Sequence, residues 1–163
     1  MTEIEKAYFA GIIDGEGTIT LTRKHNNQMP SPLLSVSNNN LELLEYIQGI
    51  TNCGKIRAKK KAKPHHNQSW QWQTNSVNNI LRVLEEIKAF LRVKKPQANL
   101  ILRHYKEVTP RNGRYSPEML DMKNWLVKAV QDMNKGKSMS PIIRQAPYFM
   151  DEDIVHAFGK PED

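Results

Sequence analysis

The sequence predicts an α+β fold, with four β-strands in one antiparallel sheet and the helices segregated to one of its faces. Three observations carry that expectation. Two pairs of segments alternate apolar and polar residues with period two, as half-buried strands do. Each pair is followed by a segment whose apolar residues recur three and four apart, as in a helix with one buried side. With an opening helix, the order becomes α-β-β-α-β-β-α, a weak internal repeat, and further helical segments follow it.

The first helix is expected over Thr2 to Ile13. Thr2 can cap it, Glu3 and Glu5 suit the positive end of the helix dipole, and Ile4, Tyr8 and Ile12 fall at helical spacing. It is expected to end at Asp14–Gly15. "TITLTRK" alternates Thr18, Thr20 and Thr22 with Ile19 and Leu21; the polar stretch "HNNQMPSP" interrupts, and "LLSVSN" completes a hairpin. "NNLELLEYIQGI" restores helical spacing through Leu41, Leu44 and Ile47 before the turn "NCG". "KIRAKKKAK" and "SWQWQTN" form a second hairpin around the loop "PHHNQ". A third helix is expected over Asn78 to Leu91, striped by Ile80, Leu81, Leu84, Ile87 and Leu91. "KPQANLILRHYKEV" and "SPEMLDMKNWLVKAVQDMNK" predict two more, separated by the turn residues of "TPRNGRYSP". Residues 1–135 read as one domain. Residues 136–163 read as a C-terminal extension, either a mobile tail or partly helical near Asp151 to Phe158.

A chain of 163 residues can bury a substantial core without covalent staples. The single cysteine, Cys53, and an N-terminus without a signal-peptide pattern predict a reducing, intracellular setting. No apolar run approaches the roughly 18 residues that cross a bilayer, so no membrane partner is expected. Lys and Arg number 24 against 17 Asp and Glu, a net charge of +7, which suits a polyanionic partner.

The strands sharpen that suggestion. Their apolar sides, Ile19, Leu21, Leu34, Val36, Ile56, Ala58, Trp70 and Trp72, should pack on the helices. The opposite side would carry Thr18, Thr20, Thr22, Lys24, Ser35, Ser37, Lys55, Arg57, Lys59, Lys61, Ser69, Gln71 and Gln73, with no acidic residue among them. A merely solvated face mixes both signs of charge. Basic side chains interleaved with Thr, Ser and Gln are what phosphate positioning and base-edge hydrogen bonding require, and a two-stranded ribbon fits the major groove.

The first helix carries the second candidate feature. Ala7, Gly11 and Gly15 recur every fourth residue along one side, open either to a tight crossing within the chain or to a second copy of the same helix. Two carboxylates, Asp14 and Glu16, stand at its end. If two copies met there, paired Glu16 side chains would stay ionised only with cations between them. Mg²⁺ is the economical ion, since it takes a few protein oxygens and keeps waters. Such a site can cleave a phosphodiester. The calcium-loop likeness of "DGEGTITL" fails, because Ile19 stands where glycine is needed, and the five histidines with Cys53 lack zinc spacing.

"FAGIIDGEG", Phe9 to Gly17, resembles the signature of the LAGLIDADG homing endonucleases place by place, and "FLRVKKPQANLIL", Phe90 to Leu102, resembles the segment that follows the fourth strand and its helix in those enzymes. One copy of the motif is present, as in the members that act as homodimers. The resemblance implies a saddle-shaped four-stranded sheet and site-specific cleavage of both strands of a long, nearly palindromic DNA with Mg²⁺. It assigns metal binding to the Glu16 carboxylate and the Gly15 carbonyl, close helix contact to Ala7, Gly11 and Gly15, and a structural role to Asp14. Lys94 falls at the place of a basic residue near the catalytic waters, Asn38 at that of a glutamine that orders water, and Arg57 and Lys59 at places that reach base edges. Glu42 stands where relatives carry arginine, a departure that affects the outer solvent network. The alternative on the same scaffold is a non-catalytic nucleic-acid binder, a maturase for intron RNA or a transcriptional regulator; retention of Glu16 favours the nuclease. An organelle or a prokaryotic cytoplasm would suit either.

Overall fold

The computed structural model describes residues 1–61, 67–136, 140–145 and 148–158. Its elements are, in order, α1 (Glu3–Glu16), β1 (Gly17–Thr22), β2 (Ser31–Asn38), α2 (Leu41–Thr51), β3 (Lys55–Ala58), β4 (Trp70–Thr74), α3 (Val77–Ile87), α4 (Lys95–His104), α5 (Pro117–Asn134), α6 (Pro141–Gln145) and α7 (Glu152–Phe158). The expected α+β class and the α-β-β-α-β-β-α order are both found. The strands form one sheet in the order β1-β2-β4-β3, with β2 and β3 each antiparallel to β4. The chain divides into two compact units, Met1–Ile19 with Ser31–Lys94, and Thr20–Pro30 with Lys95–Asp163.

In the first unit, α1 starts at a reciprocal cap. The Thr2 hydroxyl accepts from the Glu5 amide at 3.2 Å and the Glu5 carboxylate accepts from the Thr2 amide at 2.7 Å, satisfying two donors that a helix start leaves open. The buried side of α1 is Phe9, Ala10 and Ile13. Phe9 meets Trp72 of β4 edge-on, with ring centres 5.8 Å apart. Ile19, Leu34, Val36 and Trp72 are buried as expected, whereas Ile56 and Trp70 are half-buried and Ala58 is exposed. The apolar row thins there because β3 is the short edge strand of the sheet. The Trp72 indole N–H donates to the Cys53 carbonyl at 2.9 Å. That contact requires the next residue to be glycine: Gly54 has φ +84°, and a Cβ there would lie 2.4 Å from the indole nitrogen.

Two helix ends differ from expectation. Helix α1 continues through Asp14 and Gly15 to Glu16, and α3 stops at Ile87 rather than Leu91. The extra turn of α1 is the one that contacts residues 92–94, described below, while beyond Ile87 the Phe90 and Leu91 amides still donate to the Ile87 carbonyl. Along α3, Val83 is buried and Leu81 half-buried, so the stripe is shifted toward Ile80, Val83, Leu84 and Ile87.

The second unit has its own core, with Leu21, Leu100, Ile101, Trp125, Leu126 and Val130 fully buried. Helix α5 opens with Ser116 accepting from the Met119 amide at 3.2 Å and with proline in the first helical position, both favourable starts. Ile143 and Phe149 belong to this core: the Trp125 indole donates to the Ile143 carbonyl at 3.3 Å, and the His104 ring stacks on Phe149 at 4.0 Å. Helix α7 lies where the helical of the two readings placed one, while the five-residue α6 was not foreseen. Lys123 is fully buried, its ammonium donating to the Thr109 hydroxyl at 2.6 Å and lying 3.7 Å from the centre of the Tyr105 ring. Burial lowers its pKa to about 8. The loop histidines His65 and His66, and residues 159–163, lie outside the described residues.

Candidate functional site

The joint between α1 and β1 has no connecting residue, since the helix ends at Glu16 and the strand begins at Gly17. A Cβ on Gly17 would come within 2.7 Å of the Ile13 backbone, so the chain can turn there only on a bare backbone. The Gly17 amide reaches back to the Ile12 and Ile13 carbonyls and closes the last turn. Gly11 and Gly15 differ from it: nothing lies within 4 Å of a Cβ built at either. Ala7, Gly11 and Gly15 are all exposed, beside Ile4 at 83% exposure and Tyr8 at 52%. An intrachain crossing is therefore not what these small residues serve among the described residues.

Asp14 accepts three successive backbone amides, from Arg92 at 2.7 Å, Val93 at 3.1 Å and Lys94 at 2.9 Å. Lys94 answers with its ammonium, which donates to the Ile13 carbonyl at 2.8 Å and the Asp14 carbonyl at 2.7 Å. A cation on these carbonyls also meets the negative end of the helix dipole. Partial burial pushes the Lys94 pKa below the usual lysine value, and the neighbouring Asp14 carboxylate opposes the shift. This clasp supplies donors to the carbonyls of the helical turn through Asp14 and Gly15.

Glu16 ends the helix with an exposed side chain. One of its oxygens, Oε2, accepts from the Asn38 side-chain amide. Asn38 is itself oriented, because its Oδ1 accepts from the Asn40 backbone at 2.8 Å, which leaves its N–H₂ end for Glu16. Asn40 in turn caps α2, accepting from the Leu43 amide at 3.1 Å. Glu42 stands exposed in the first turn of α2, where the helix dipole favours a carboxylate.

Within the first unit, the strand register puts Ser37, Gln71 and Arg57 in one cross-strand row and Ser35, Gln73 and Lys55 in the next. Lys55 and Arg57 are exposed, the two glutamines and Ser37 half-buried, and Ser35 only 5% exposed, so Ser35 offers little surface. Lys59 and Lys61 follow β3, exposed, and the Lys59 amide donates to the carbonyl of half-buried Ser69 at 2.8 Å. Lys55, Arg57 and Gln73 also line a cavity of about 250 Å³ with Asn75, Ser76 and Asn79, and no carboxylate lines it. In the second unit, Thr22 and Lys24 are exposed and Thr20 is half-buried.

A glycine-bearing helix that ends in an oriented carboxylate, set on a four-stranded antiparallel sheet with a basic row, is the plan of the LAGLIDADG endonucleases. Residues 9–106 match the family described as LAGLIDADG endonuclease, and the chain belongs to it. Among curated relatives, the intron-encoded DNA endonuclease aI3 of Saccharomyces cerevisiae is 28% identical over 95 residues, which are 56% of this chain and 22% of that protein. The chain thus spans about a fifth of the relative's length. Among solved structures, the homing endonuclease I-CvuI in complex with the I-CreI target superposes with a TM-score of 0.68 at 20% identity, covering 98% of each chain. The archaeal intron-encoded homing endonuclease I-Vdi141I complexed with DNA gives 0.62 at 20% identity, covering 97% of this chain and 94% of that one. The meganuclease I-CpaMI bound to uncleaved DNA gives 0.61 at 16% identity, covering 94% of this chain but 56% of its own. At such identities the likeness is one of fold.

The family implies a divalent metal, and the donors present suit a hard one. Glu16 keeps one oxygen free of protein partners among the described residues, and it sits at the negative end of α1. No group of three or more His, Cys, Asp or Glu side chains that could hold an ion occurs among the described residues. Among the described residues the donors at this site number few, which suits an ion that keeps water and phosphate oxygens. Sequence reasoning missed the contact of Asn38 with Glu16 and the capping of Ile13 by Lys94. The Asn38–Asn40 pair of Asx-forming residues was the available signal for the first.

Proposed function

We propose that this chain is a site-specific DNA endonuclease that works as a homodimer, uses Mg²⁺, and cuts both strands of a long, nearly palindromic site. The carrying observation is Glu16, aimed by Asn38 at the end of a helix whose Ala7, Gly11 and Gly15 side is left open by the described residues. Two copies meeting through that side bring two Glu16 carboxylates together, each with the Gly15 backbone beside it.

A divalent ion, when bound, supplies Lewis-acid stabilisation of the phosphate and an acidified water. The chain's own residues do the rest. Glu16, with the Gly15 carbonyl, would hold the ion, while Asn38 fixes the carboxylate's orientation. Lys55 and Lys61 neutralise backbone phosphates, and Arg57, Lys59, Gln71 and Gln73 present donors and acceptors to base edges. Thr20, Thr22, Lys24, Ser37 and Ser69 add shorter polar contacts. The test is a plasmid carrying the uninterrupted host sequence. Linearisation that requires Mg²⁺ or another divalent ion supports the proposal; tight binding to DNA or to intron RNA without cleavage under any divalent ion would replace it with a binding role.

A further inference from the structure

The clasp at the end of α1 assigns Lys94 a different part from the one its position in the family pattern implies. We infer that Lys94 is a positioning residue: it acts on cleavage by holding, together with Asp14, the helical turn that carries Gly15 and Glu16, and not by contact with the scissile phosphate. The inference rests on the nuclease reading above.

Five hydrogen bonds between two short segments make the case. Residues 92–94 give three backbone amides to the Asp14 carboxylate, and Lys94 returns its ammonium to the Ile13 and Asp14 carbonyls. A helix leaves its last carbonyls without donors, and a glycine in the last turn weakens it further. This turn has Gly15 inside it and Gly17 immediately after it. The Gly17 amide serves the Ile12 and Ile13 carbonyls, and without Lys94 the Asp14 carbonyl would lose its side-chain donor. The turn that presents Glu16 is thus secured from a segment 80 residues away. Two of the three ammonium donors are engaged within the protein, and the side chain is half-buried while doing so. Asp14 and Lys94 are also mutually dependent: the carboxylate orders the backbone that places the lysine, and the lysine closes the carbonyls of the turn that places the carboxylate. Such a unit is coupled, so removing either half removes most of what both provide.

The experiment uses the full chain with Asp14→Asn, Lys94→Met and the double variant. In the protein free of metal and DNA, amide hydrogen exchange is followed at Gly17, Arg92, Val93 and Lys94 or its replacement. Either single variant should speed exchange at these amides by about tenfold or more, while amides in the middle of α3 stay protected. In cleavage assays with Mg²⁺, each single variant should lower kcat with KM little changed, and the double variant should be no slower than the slower single one. Faster exchange without the kcat loss would overturn the inference, as would a kcat loss in Lys94→Met with exchange unchanged. Multiplying losses in the double variant would also overturn it, since they mark a lysine acting on the reaction independently of Asp14. A wild-type protein that neither binds nor cuts DNA sinks the nuclease reading, and with it the part in cleavage inferred for Lys94. The exchange measurements then report the clasp alone.

Discussion

At the scale of single residues, the carboxylate of Glu16 and the ammonium of Lys123 illustrate opposite uses of charge. Glu16 is exposed and aimed, so its charge is available to an ion. Glu16→Gln keeps the shape and an oxygen for Asn38 while removing the charge. Cleavage should be lost while DNA affinity stays near wild type, checked by a plasmid assay beside a mobility-shift titration; cutting at wild-type rate would refute the assignment. Lys123 is buried against Thr109 and Tyr105, and its folded-state pKa is lowered from 10.5 to about 8. Below about pH 8 both folded and unfolded chains carry the proton, and the penalty for burying the charge is felt in full. Between pH 8 and 10.5 the folded chain has released the proton that the unfolded chain keeps, so stability rises with pH. Chemical denaturation at pH 7.5 and pH 9.5 should show an increase in the wild type that is much reduced in Lys123→Met, once alkaline effects common to both are subtracted.

At the scale of elements, what the sequence made legible was periodicity. That Ser35, Ser37, Lys55, Arg57, Gln71 and Gln73 share one face follows from the order of amino acids, because side chains alternate along a strand; the register that sets them in rows came from the structure. The helix ends were not legible in the same way. Local rules stop α1 at Asp14–Gly15, and nothing within a few residues of Gly15 shows that Lys94 will supply donors to that turn. The near-burial of Ser35 was hidden for a related reason, since alternation assigns a face but not what neighbouring side chains cover. Nor could the pattern Ala7, Gly11, Gly15 say whether it met another part of the chain; among the described residues nothing lies beside Gly11 and Gly15. Gly11→Leu should therefore leave the thermal midpoint of the dilute chain unchanged or slightly raised, since leucine favours helix by nearly 1 kcal/mol over glycine. On the proposed homodimer, the same variant should sediment as a monomer under conditions that pair the wild type, and should lose the proposed double-strand cleavage. For the sheet, Arg57→Ala should cost about 1–3 kcal/mol at one base pair and relax preference there in a binding-site selection. An unchanged preference at every position would place another face against the DNA.

At the scale of the whole molecule, the family and the class of fold followed from a nine-residue motif together with the order of elements. The two compact units did not, because residues 20–30 join the C-terminal helices through contacts such as that of the Gln131 amide with the Leu21 carbonyl at 3.2 Å. No periodicity announces a pairing 110 residues apart. Charge is the other property that belongs to the whole chain. A net +7 per copy, doubled in the proposed dimer, should make phosphate neutralisation a large share of DNA affinity. The logarithm of the binding constant should fall steeply and linearly with that of salt concentration, and Lys55→Ala should reduce the slope by about one per subunit while leaving sequence preference intact.

The joint at Glu16–Gly17 bears on how this protein can change over generations. A helix and a strand that meet with no residue between them share one phase. One inserted residue in the last turn of α1 would rotate everything before it by about 100°, moving the Ala7–Gly11–Gly15 side away from its direction. One inserted after Gly17 would exchange the two faces of β1. Neither error can be absorbed locally, whereas the polar loop between Thr22 and Ser31 has slack for both. Lineages of this chain should accordingly accumulate length differences in that loop and none across Ile13 to Thr18, and a library of single-residue insertions selected for cleavage should be empty over those six positions.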